Sequence, residues 1–126
     1  MSGLALNLVA AAIENKSFRR VIHTSGTQQL TVSSLKGGED LSAAANANVT
    51  QTFFIASGEG IVDLGNESFQ ISPGVVIVVP VAFAYSIRNT SEDDLKIYAI
   101  HSPPLFSLQF NQIKKPDELP GCACDT

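Results

Sequence analysis

The chain is short of several residue types, and each shortage removes a class of function. Its 126 residues include no tryptophan, 1 methionine, 2 histidines and 2 cysteines. Two cysteines cannot build a disulfide framework, and Cys122-Ala123-Cys124 leaves too short a spacer for an unstrained mutual bridge. Nor does any other cysteine exist to complete a soft-metal site around them, so they read as reduced thiols on a loose tail. Basic side chains number 8 against 12 acidic ones, for a formal net charge of −4. Adjacent basic pairs occur at Arg19-Arg20 and Lys114-Lys115, with no larger cluster to displace counterions from phosphates, which excludes nucleic acid as a partner. Long apolar runs are missing as well. The stretch from Val75 to Tyr85 falls far below the ~20 residues that span a bilayer and contains Pro80, which excludes a membrane segment. The apolar start, Leu4 to Ile13, has no basic residue before it and is interrupted by Asn7. It reads as a short helix laid on the body of the protein and not as a secretion leader, so the expected location is the cytoplasm or another reducing compartment, not the secreted space.

What is present is apolar and patterned. Hydrophobic residues make up 44% and charged ones 16%, a composition that builds a core and does not remain disordered. From Phe18 onward, short alternations such as Leu30-Thr31-Val32 are punctuated by Ser25-Gly26 and Gly37-Gly38. Strands are expected at Gln51 to Ile55, Ile61 to Leu64, Ser68 to Ile71, Val75 to Val79, Ala84 to Arg88 and Leu95 to His101, with Gly65-Asn66 closing a hairpin. Val75 to Val79 is apolar on both faces, which belongs inside a sandwich or at a subunit contact. Many short strands at close spacing predict an all-β sandwich or jelly roll. Prolines 103, 104, 116 and 120 then mark an extended tail, with a short helix expected around Leu108 to Lys114.

The spacing of the turn residues carries a resemblance. Counting from Gly38 to Gly58, and from Gly74 through Pro80 to Asn89, reproduces the frame of both motifs of the cupin family. Together with Phe18 to Thr24, Gly58-Glu59-Gly60 and Tyr98 to Pro104, the chain resembles small single-domain cupins of the mannose-6-phosphate-isomerase-like kind. The resemblance implies a double-stranded β-helix, or jelly-roll barrel, over 18–104. A helical segment at 1–17 precedes it and a tail at 105–126 follows.

For chemistry the same frame points the other way. Cupins with a metal place two histidines, a glutamate and a third histidine at positions that here carry Ala44, Asn46, Gln51 and Tyr85. Alanine offers no donor, neutral amides are weak ligands for first-row metals, and a phenol near pKa 10 binds only as phenolate. A shifted frame through Asn46-Ala47-Asn48 would still be an all-amide set. No bound metal and no other cofactor is therefore expected.

The family positions turn Gln51, Phe53 and Ile55 inward, and likewise Tyr85, Ile87 and Asn89. Asn46, Gln51, Phe53, Tyr85 and His101 then line a lumen suited to a small neutral polar ligand such as a sugar, or they fill it as core. The resulting expectation is a metal-free binding or structural module that self-associates as a dimer or larger homo-oligomer. The alternative is a sugar isomerase or epimerase acting through Tyr85 and His101, or through an atypical metal site. No aspartate is placed to orient His101, and His23 is expected to end a strand at a turn.

Overall fold

Alternating β-branched and aromatic residues set the strands, and the turns between them are made by residues able to take unusual backbone angles. A computed structural model describes residues 3–43, 48–106 and 111–113. The elements are α1 (Leu8–Glu14), β1 (Arg19–Thr24), β2 (Gln29–Leu35), β3 (Asp40–Ala43), β4 (Thr50–Ser57), β5 (Gly60–Leu64), β6 (Glu67–Ile71), β7 (Val76–Val79), β8 (Tyr85–Asn89), β9 (Leu95–Ser102) and β10 (Asn111–Gln112). Among the described residues they form a six-stranded sheet, β10-β1-β2-β9-β4-β7, facing a four-stranded one, β3-β8-β5-β6, with antiparallel pairing throughout. This is the jelly-roll barrel expected from the turn spacing.

The core lies between the sheets. Leu35, Phe53, Ile55, Ile77, Val79, Leu95 and Ile97 from the larger sheet meet Leu41, Val62, Ile71 and Ile87 from the smaller one. Each such side chain contributes roughly 1.5–3 kcal/mol by leaving water. Two turns show how the sequence closes the barrel. Gly65 has φ +60° between paired Leu64 and Glu67, as the first central position of a II′ hairpin requires. Ala82 has φ +61°. It occupies the position where the second cupin motif carries glycine, so the backbone keeps the left-handed conformation although the residue that adopts it without strain is gone.

Helix α1 begins at Asn7, whose side chain accepts from Ala10 N at 3.0 Å. It packs on the outer face of the larger sheet, over β9, β2 and β4, and buries Ala12. Buried Lys96, on β9, fastens its end: Nζ donates to Asn15 O at 2.5 Å and to Ser34 Oγ at 3.0 Å, with Asp94 at 3.7 Å.

Several expectations change. The helix starts at Leu8 and not at Leu4, because Asn7 caps it. Strand β3 was not expected, and Asn111–Gln112 is a strand paired with β1 where a helix was expected. Of the two places expected for a strand apolar on both faces, the sandwich interior is excluded: among the described residues Val76–Val79 is an edge strand, with Val76 and Val78 50% and 54% exposed. The cysteines at 122 and 124 lie outside the described residues. Among the described residues no helix is long and apolar enough to cross a membrane.

Candidate functional site

Residues opposite one another on antiparallel strands share a face, so the register shows what points into the barrel. One row across the larger sheet is Gln29, His101, Gln51 and Val79. The next is Val21, Thr31, Ala99, Phe53 and Ile77, and the third is Arg19, Ser33, Ile97 and Ile55. A bulge between Val21 and His23 then breaks β1, placing His23 opposite Leu30 on the outer face. The smaller sheet contributes Tyr85, opposite Leu64, and Ile87, opposite Val62.

These rows bring together four of the residues singled out from the sequence. Tyr85 Oη donates to Gln51 Oε1 at 3.3 Å, and the Phe53 ring lies 5.2 Å from Tyr85 and 6.1 Å, edge-on, from His101. Asn89 is also buried but is committed to the β8–β9 turn, where it donates to Leu35 O at 2.9 Å and Asp93 O at 2.7 Å. Positions 44 and 46 lie outside the described residues.

Four further residues complete the site. Thr31 Oγ1 is 2.8 Å from His101 Nε2, supplying the orienting contact for which no aspartate was found. The ring's other nitrogen, Nδ1, is buried without a hydrogen-bond partner among the described residues. Arg19 enters from β1, its guanidinium carbon 4.8 Å over the Phe106 ring and 5.4 Å over Phe18. Phe106 in turn stands edge-on to His101 at 5.5 Å. Gln29 holds that segment in place. Its Nε2 donates to Phe106 O at 2.8 Å and Thr24 Oγ1 at 2.9 Å, and its Oε1 accepts from Leu105 N at 3.1 Å and Phe106 N at 2.9 Å. The signal for Arg19 is its spacing from Val21, which puts both on one strand face; in the sequence it figures only as half of the basic pair Arg19-Arg20.

The electrostatics follow from burial around one cation. Burial, then the Arg19 charge, lowers the His101 pKa to about 4, so its imidazole is neutral at neutral pH. Burial raises Tyr85, with Arg19 and the Gln51 hydrogen bond opposing, so the phenol keeps its proton. Burial also lowers Arg19 from its usual value, with Tyr85 opposing, yet a guanidinium stays charged throughout the physiological range.

Among the described residues the donor set does not fit the divalent ion that the fold implies. Gln51 Oε1 already accepts from Tyr85, Tyr85 is held protonated, and Arg19 adds a like charge beside them. Among the described residues no group of three or more His, Cys, Asp or Glu side chains is placed to hold a metal.

Comparison with known proteins agrees with this architecture. The chain is 34% identical over 105 residues to uncharacterized protein YrkC of Bacillus subtilis (strain 168), covering 79% of this chain and 56% of that one. An uncharacterized protein of Acanthamoeba polyphaga mimivirus is 34% identical over 102 residues, covering 78% and 64%. The chain thus spans somewhat under two thirds of the curated relatives it matches. A crystal structure of a Bacillus halodurans protein superposes with a TM-score of 0.85 at 24% identity, over 89% of each chain. The family model described as Cupin domain matches residues 31–101, which take in both motif frames and Thr31, Gln51, Phe53, Tyr85 and His101. The chain belongs to the cupin family.

Proposed function

We propose that the protein is a cupin-fold binding module that holds a small polar ligand in its lumen without a metal. The observation that carries this reading is the cluster of Thr31, Gln51, Tyr85 and His101 on facing inner rows, walled by Phe53 and Phe106, with His101 Nδ1 left without a partner among the described residues. Apolar walls with a few convergent polar groups are the usual form of a small-molecule site. An isomerase or epimerase using His101 as base is less well supported. An imidazole that titrates near 4 accepts a proton weakly at neutral pH, and its Nε2 is already engaged by Thr31. The test joins metal analysis of protein purified without chelator or nickel resin to isothermal titration with small metabolites. The expected result is saturable binding at substoichiometric metal. Stoichiometric manganese, iron, nickel or zinc that Gln51→Ala removes would overturn the reading.

Self-association is the second part of the proposal. The exposed outer face of β7, with Val76 and Val78, and the exposed Leu4, Leu6, Val9 and Ile13 near α1 support a homodimer or larger assembly. Light scattering on a sizing column should show more than one chain per particle, and Val76→Lys with Val78→Lys should shift the particle toward monomer. A wild-type monomer at high concentration would refute this part.

A further inference from the structure

The ligand class follows from the charges inside the barrel. Arg19 lies on the inner face opposite Ser33, half-buried, and its guanidinium has neither a hydrogen-bond nor an ion-pair partner among the described residues. Two rings lie against the guanidinium, Phe106 at 4.8 Å and Phe18 at 5.4 Å from its carbon. Its in-plane N–H edge is what remains to bind, and that edge matches the two oxygens of a carboxylate. Among the described residues the groups it acts on are neutral, the His101 imidazole and the Tyr85 phenol, and these are bonded in turn to the neutral Thr31 hydroxyl and Gln51 amide. The second open group is His101 Nδ1, on a residue that is 3% exposed and that touches the same Phe106 ring as Arg19. When Thr31 donates its hydroxyl proton to Nε2, the imidazole proton sits on Nδ1 and makes that atom a donor.

We propose that the lumen binds a small monocarboxylate, with Arg19 as its counter-charge and His101 Nδ1–H as a second donor. This rests on the binding-module reading and replaces the neutral, sugar-like ligand expected from the sequence by an anion. One cation balances one negative charge. A phosphate dianion would leave a buried excess charge, which is costly away from water.

The experiment titrates the full chain with propionate and benzoate, and with propionamide and benzamide as neutral isosteres. Inorganic phosphate and glucose are included, all at constant ionic strength. Isothermal titration gives affinity, and the 15N shifts of the His101 ring report the site. A carboxylate should bind at least tenfold tighter than its amide and shift Nδ1. Arg19→Gln should abolish that preference, Arg19→Lys should weaken carboxylate binding about tenfold, and His101→Phe should weaken it severalfold. Circular dichroism identifies any variant that fails to fold, and the wild-type acid-to-amide ratio decides the matter without variants. Equal binding of acid and amide, or tighter binding of glucose, overturns the anion assignment and leaves the binding module standing. Tighter binding of phosphate overturns the carboxylate class. Carboxylate binding that Arg19→Gln leaves unchanged overturns the site. No binding of any probe overturns both proposals.

Discussion

Besides exposed Arg20, the larger sheet has two cations, one on each face, and the protein treats them differently. Lys96, on the outer face, is buried and saturated by Asn15 O, Ser34 Oγ and Asp94, which fastens α1 to the barrel. Arg19, on the inner face, lies against two aromatic rings with no oxygen partner among the described residues. Burying a charge is costly unless it is paired and hydrogen-bonded. A cation whose needs are met by its own chain holds structure together, whereas one whose needs are not met has capacity left for something else. The same contrast divides the two amides of one inner row: Gln29 is fully committed to residues 24, 105 and 106, while Gln51 makes one long bond to Tyr85.

The largest test of this contrast is pH. His101 titrates at about 4 in the fold, below its ordinary 6.5, because burial and then Arg19 disfavour its charged form. Its contribution is fully present above pH 6.5 and is lost as pH falls through the window from 6.5 to about 4, where the unfolded chain takes up a proton that the fold refuses. The loss should be on the order of 3 kcal/mol, and His101→Phe should flatten this part of a urea-melt pH profile. A profile unchanged by the substitution would mean that the imidazole is not buried beside a cation.

Next comes Lys96→Met, which leaves Asn15 O and Ser34 Oγ unpartnered and should cost about 2 kcal/mol by chemical denaturation. A cost near zero would remove the idea that this cation is structural. Ala82→Gly, at a turn on neither face, should raise stability by up to about 1 kcal/mol by relieving the left-handed strain, net of glycine's own entropy. The smallest effect is expected for Arg19→Met without ligand: a change within about 0.5 kcal/mol or a slight gain, since an unpaired charge is removed and the apolar stem is kept. A loss as large as that of Lys96→Met would make the two cations alike.

Much of the barrel was legible because turn residues and alternation are local signals. Turn residues and short alternations located the strands from β4 to β8, and the cupin resemblance, carried along each strand by period two, turned Gln51, Phe53, Tyr85 and Ile87 inward, where all four are buried. Strand β3 was not legible, since Asp40-Leu41-Ser42-Ala43 has a single large apolar residue and is a strand by virtue of its pairing with β8. The same holds for β10, two residues long and paired with β1 across the length of the chain. The site was legible for residues inside the motifs and not for those outside. Thr31, Gln29 and Phe106 have no signature of their own. Arg19 carries a charge whose default place is the surface, and its inward position depends on the pairing of β1 with β2.

The bulge in β1 sets the chemical inventory of the lumen. In an unbroken strand, residues 19, 21 and 23 would share one face, and His23 would oppose Gln29 beside Arg19 and His101. One extra residue in the ladder sends that imidazole outside, so the barrel encloses one imidazole and not two. Registry, as much as residue choice, thereby decides how many ionisable groups the interior holds, and a variant that irons out this irregularity would enclose different chemistry with the same amino acids.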